Sequence, residues 1–146
     1  MIVALVEHDG GVVSEPSLQT LTLGRRMAER HGEPLAALIV GSDAGPVIDA
    51  LAAHGVATVH HAVDDRLDRY APEAWAMCLV DLMERTGPSA VVAAGTDRGN
   101  EVMARVGART GLPVAANCTE VEPGEPGTPY LVTRLRWGGS LLEDAR

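Results

Sequence analysis

Two short stretches carry residue types that could cradle an anion. In "HDGGVVSE", residues 8–15, Gly10 and Gly11 permit a tight turn and Ser14 can cap a following helix. In "AAGTDRGNE", residues 93–101, Gly95 closes an apolar run and Gly99 relieves the backbone, while Thr96, Asp97 or Asn100 can cap the next helix. Free N–H groups at such a helix start suit a phosphate. Arg98 would add a charge-assisted donor, and Asp97 beside it opposes the same anion. Both stretches also work as plain strand-to-helix turns, and residue type alone leaves the two uses open. Neither contains the Gly-x-Gly-x-x-Gly fingerprint of a dinucleotide loop.

Other reactive side chains read as structural. His60 and His61, with Asp64 and Asp65 behind them, are the nearest thing to a metal cluster. Adjacent strand residues point to opposite faces, however, so one ion cannot easily use both imidazoles. His31 and His54 each precede a glycine at the end of a helical pattern, where the helix dipole favours an imidazolium and glycine supplies the left-handed cap. Cys78 and Cys118 lie in separate apolar segments without Cys-x-x-Cys spacing, which predicts buried reduced thiols. All 12 basic residues are arginine. Without lysine there is no Schiff-base chemistry and no Walker A loop. No Gly-x-Ser-x-Gly elbow, His-Glu-x-x-His helix or Ser-Gly-Gly-x-Asp-Ser pyrophosphatase loop occurs either. The catalytic set is therefore read as empty, and so is the metal set.

The elements that must position these residues are legible from hydrophobic periodicity. Apolar runs at 2–7, 35–41, 57–63 and 89–95 predict strands covered on both faces. Helical patterns fall between them, at 17–31, 45–53, 72–86 and about 100–110. This alternation predicts right-handed crossovers and a mostly parallel sheet with helices on both faces, in one α/β domain over 1–146. After 112–122 the pattern changes: a loop at 123–129 precedes two β-like runs around a glycine pair, expected at the sheet edge. With 20 acidic residues against 12 basic, the net charge of −8 repels nucleic acid and anionic lipid. No run approaches the ~20 apolar residues of a membrane span. A cytoplasmic protein is expected, with neither nucleic-acid binding nor membrane insertion. The β-like end at Arg146 suggests a piece of a longer parent.

Taken in order, several segments resemble the N-terminal domain of the electron transfer flavoprotein alpha subunit. They are "IVALVEHDGGVVSEPSLQTLTLGRRMAERHG", "LAALIVG", "LAAHGVATV" and "YAPEAWAMCLVDLMERTGPSAVVAAGTDRGNEVMARVGARTGLPVAANCTEVE". The Tyr-x-Pro-Glu before a helix and the Gly-Thr-x-x-Gly turn are the most specific parts, and "RLRWGGSLLEDAR" looks like the family's paired strands around Gly-Gly. The resemblance implies a three-layer Rossmann-like fold, akin to adenine nucleotide alpha hydrolases and universal stress proteins. It implies a heterodimer with a beta subunit, carrying electrons from dehydrogenases to an acceptor by means of FAD. The family's FAD site lies mostly in a C-terminal domain whose motifs are absent here, so this chain alone is not expected to bind FAD. AMP is expected, if anywhere, in the partner beta subunit. The resemblance also implies that Gly95–Asn100 is mainly a turn. A stand-alone adenine-nucleotide module of the universal stress protein type is the alternative, motivated by the two glycine-bearing turns.

Overall fold

The structure, a computed structural model, describes residues 1–42, 45–125 and 127–146. Pro126, inside the expected 123–129 loop, lies outside the described residues. Two apolar runs build the centre: β1 (Ile2–Val6) and β4 (Leu35–Val40) are buried at every position. With β5 (Thr58–Ala62) and β6 (Ala90–Ala93) they form one parallel sheet in the order β5-β4-β1-β6. The register places Ala4 beside Ala37 and Leu5 beside Ala93. Between β1 and the first helix, two-residue strands β2 (His8–Asp9) and β3 (Val12–Val13) make a small antiparallel hairpin.

Pleat alternation divides β1 between two cores. Ile2, Ala4 and Val6 pack with Leu21 and Met27 of α1 (Glu15–His31) and with Val47 and Leu51 of α2 (Gly45–Ala53). Val3 and Leu5 pack with Leu79 of α3 (Pro72–Thr86) and Val102 of α4 (Asp97–Thr110) on the opposite side. The result is the three-layer, Rossmann-like α/β arrangement predicted from the sequence.

Helix ends follow local chemistry. Ser14 caps α1, which therefore begins at Glu15 instead of the expected 17, and Thr96 caps α4, which begins at Asp97 instead of about 100. Gly32, Gly87 and Gly111 close α1, α3 and α4 in the left-handed region.

The C-terminal strands β7 (Cys118–Glu122), β8 (Leu131–Arg136) and β9 (Leu141–Ala145) are antiparallel. They pair with one another as a three-stranded sheet beside the parallel one. His31, the last residue of α1, helps hold them there. Its Nε2 donates to the Gly124 carbonyl at 3.1 Å, and the Tyr130 hydroxyl lies 3.3 Å from Nδ1. Its neighbour Arg30 pairs with Glu125 at 2.6 Å. The expected capping position of His31 is thus correct in place, but the ring serves as a tether to the C-terminal segment.

Candidate functional site

A doubly wound sheet offers a ligand crevice where its strand order reverses, outside the carboxyl ends of the flanking strands. Here the chain passes from β1 outward to β4 and β5, then crosses back to β6 on the other side of β1. The crevice therefore lies between the ends of β1 and β6. Both glycine-bearing stretches open from this same edge.

Glu7 occupies that position. It follows the buried β1 directly and is itself only 8% exposed. The Thr96 hydroxyl donates to its carboxylate at 2.5 Å. The same hydroxyl accepts from the Gly99 N–H at 2.9 Å, so the α4 cap is bonded straight to Glu7. On the other side, the Glu7 N–H donates to Ser17 Oγ at 2.9 Å, and Ser14 Oγ lies 3.0 Å from Ser17 Oγ. The backbone N–H of Ser14 returns to the Glu7 carbonyl at 2.9 Å. One acidic residue thereby joins the starts of α1 and α4 across the crevice.

The glycines in the two turns have different jobs. A Cβ on Gly99 would stand 2.0 Å from the Ala94 carbonyl oxygen, so this residue is glycine because the chain's own backbone crosses it. Around Gly95 a Cβ would meet nothing within 4 Å. Gly10 and Gly11 have φ of 53° and 80° and form the hairpin turn between β2 and β3. Arg98 is drawn to Tyr70: its guanidinium carbon lies 5.1 Å from the ring centroid. The Tyr70 hydroxyl donates to Glu101 at 3.1 Å, and burial, followed by that bond, pushes its phenol up to about 12. Asp97 opens α4, and the Asn100 N–H donates to the Thr96 carbonyl at 2.9 Å. Of the nine residues singled out in the two turns, the structure thus gathers Ser14, Thr96 and Gly99 around Glu7.

Glu7 and Ser17 are the members that sequence reasoning missed. The available signal was a lone acid placed directly after a five-residue run buried on both faces.

The remaining candidates settle into local contacts. His61 Nε2 donates to the Gly41 carbonyl at 2.6 Å, and His8 Nε2 donates to the Val40 carbonyl at 3.2 Å. Asp64 is held below the usual carboxylate range by hydrogen bonds from Arg66. Among the described residues no group of three or more His, Cys, Asp or Glu is placed to hold a metal ion. Cys78 and Cys118 are free and half-buried, and burial pushes both thiols up.

A second concavity lies beyond Gly95. This open cleft of about 740 Å³ is lined by Gly95, Cys118, Leu135, Arg136, Trp137 and Gly139, among others. Its one guanidinium, on Arg136, already faces Glu143 at 3.5 Å. Neither concavity has the chemistry of a flavin dinucleotide site. A diphosphate at the α4 start would meet the Glu7 carboxylate, and the space beside Gly99 in the first turn of that helix is taken by the Ala94 carbonyl.

Comparison with known proteins agrees with this architecture. The family model for the electron transfer flavoprotein domain matches residues 2–145. The chain is 33% identical to the electron transfer flavoprotein subunit alpha of Mycobacterium tuberculosis over 99% of its own length and 43% of that protein's. It is 32% identical to protein FixB of Clostridium saccharobutylicum over 93% of its length and 40% of the relative's. Subunit LctC of the lactate dehydrogenase (NAD(+),ferredoxin) of Acetobacterium woodii is 28% identical, over 97% of this chain and 34% of the relative. The chain spans about two fifths of the length of the first two relatives. With a matching model over nearly every residue and alpha-type relatives along the whole chain, the protein belongs to the electron transfer flavoprotein domain family.

Proposed function

We propose that the chain is a scaffold domain of an electron transfer flavoprotein of the alpha type. In this reading it packs against a beta subunit and helps frame a flavin held elsewhere in the assembly. It supplies no catalytic residue of its own, because the electron chemistry belongs to the flavin. Electrons would enter from dehydrogenases, a role supported by the resemblance to a lactate dehydrogenase subunit, and the complex would work in the cytoplasm. Any AMP would sit in the beta subunit.

The observation that carries this reading is Glu7. A Rossmann-like sheet that served its own nucleotide would leave the crevice at the strand-order reversal open and electropositive. Here a buried carboxylate spans it, bonded to the cap of α4 and joined through Ser17 to the cap of α1. That arrangement supports rigidity over ligand exchange.

The test is a thermal titration of the purified chain with FAD, AMP and ATP, followed by addition of the beta subunit with FAD. No saturable stabilisation by the nucleotides alone is expected, and a flavin-containing complex should form only with further protein. Saturable stabilisation by AMP or ATP alone would instead return the nucleotide-binding module.

A further inference from the structure

We propose that the Asp9–Gly10 peptide is a modification site of this chain, where spontaneous isomerisation to isoaspartate is gated by opening of the β2–β3 hairpin tip. The product belongs to the substrate class of carboxyl methyltransferases that label isoaspartyl groups with S-adenosylmethionine. The site is independent of the scaffold role above.

An aspartate followed by glycine is the sequence in which the main chain most readily attacks its own side chain, because no Cβ on the second residue shields the nitrogen. Asp9–Gly10 is the one Asp-Gly pair in the 146 residues, and there is no Asn-Gly pair. The Gly10 nitrogen forms a bond to Cγ of Asp9, and the carboxyl hydroxyl leaves with the nitrogen's proton as water. A five-membered succinimide results, and water then adds to one of its carbonyls. Addition at the former main-chain carbonyl breaks its bond to nitrogen and restores a carboxylate there, so the chain now runs through Cβ and Cγ. One water leaves and one returns. Mass and charge are unchanged, and no redox partner takes part.

The surroundings of the pair are open. Asp9 and Gly10 are both exposed. The Asp9 carboxylate enters no ion pair among the described residues. A Cβ on Gly10 would meet nothing within 4 Å. Val12, the cross-strand partner of Asp9, is 70% exposed.

Backbone geometry supplies the gate. Ring closure needs the Gly10 nitrogen to eclipse Cβ about the Cα–C bond of Asp9. A strand residue has ψ of about +135°, which turns that nitrogen well away from Cβ. While it is paired with Val12, Asp9 is therefore protected. That pairing is only two residues long on each strand, and so short a ladder has little stability of its own. Its base is held, because His8 Nε2 donates to the Val40 carbonyl and Val13 is buried in the core beside α1 and α2. Opening is thus confined to the tip, residues 9–12, and leaves the parallel sheet intact. Once isoaspartate forms, the main chain is one methylene longer before a turn that Gly10 and Gly11 close at φ of 53° and 80°. The Asp9–Val12 register no longer fits that turn, and the tip stays open.

The test ages the full chain in neutral buffer at physiological temperature and counts isoaspartate by methyl transfer from labelled S-adenosylmethionine. Electron-transfer fragmentation in the mass spectrometer places it within the tryptic peptide 1–25. Asp9→Glu, Gly11→Ala and the parent held unfolded in urea run beside the folded parent, with circular dichroism as the check on folding. The folded parent should accumulate isoaspartate at residue 9, and the urea sample should do so faster. Asp9→Glu, whose ring would be six-membered, should stay at background. Gly11→Ala puts a side chain in the left-handed region and against Pro46, so the tip opens more often and the rate should rise about fivefold or more. A folded parent that stays unmodified while the urea sample reacts would overturn the site, as would label that persists in Asp9→Glu. A folded rate equal to the urea rate, or a Gly11→Ala rate equal to the parent's, would overturn the gate.

Discussion

At the residue scale, Glu7 is the organising group of the carboxyl edge, and its bond to Thr96 is exposed to a direct test. Thr96→Val removes the cap of α4 and leaves the Glu7 carboxylate without the hydroxyl it accepts from. The expected loss is about 2–3 kcal/mol, combining a lost cap with an unsatisfied buried acceptor. Thr96→Ser, which keeps the hydroxyl, should retain most of that stability; urea midpoints compare the two. Tyr70 offers a second test. Its neutral phenol is favoured in the fold, so the stability it contributes is complete below pH 10 and is lost as pH rises toward 12. In ultraviolet titration the Tyr70→Phe protein should lack the phenolate signal that develops near pH 12. The sequence revealed both glycine-bearing turns but not the purpose of their residues. Gly99 and Gly95 look alike in a string of letters; only the crossing of the Ala94 carbonyl makes one of them irreplaceable by alanine.

At the element scale, the parallel sheet was readable because β1 and β4 are buried throughout and show it as unbroken apolar runs. The limits of α2 and α3 were readable from glycine and proline. The starts of α1 and α4 fell short because their first turns are polar and owe their order to Ser14 and Thr96. That the last three strands pair among themselves was beyond local pattern, since pairing such as Val121 with Val132 depends on a tertiary choice of partner. The opposite, amino-terminal edge of the sheet has its own fastening. The Met1 ammonium contacts Glu33 at 2.8 Å, the Ser89 hydroxyl donates to the same carboxylate, and the Ser89 N–H donates to the Met1 carbonyl at 2.9 Å. The ammonium first, then Ser89, hold Glu33 below its usual 4.5. A depressed carboxylate stabilises above its unfolded pKa, and the benefit is lost as pH falls through the folded value. The parent should therefore exceed Glu33→Gln in stability at pH 7, and the gap should shrink as the pH falls below the usual 4.5, as measured by thermal midpoints across pH.

For the whole molecule, the fold has a well-buried parallel body and a lightly attached C-terminal segment. Hydrogen exchange followed by mass spectrometry should find the amides of β1 and β4 far better protected than those of β7 to β9, because local opening is easiest where little surface is buried. His31→Ala should raise exchange in 118–136 while leaving β1 and β4 nearly unchanged, since the imidazole ties that segment to α1.

The two tryptophans stand on opposite sides of this division. Trp75 is 5% exposed in the α3 core, its ring edge-on to Tyr70, whereas Trp137 is 81% exposed at the β8–β9 turn. The protein thus carries two built-in optical probes, one shielded from aqueous quenchers and one open to them. With Trp137→Phe the emission of Trp75 follows unfolding of the body alone; with Trp75→Phe the emission of Trp137 follows the C-terminal sheet, so assembly and folding can be watched separately in one unlabelled chain.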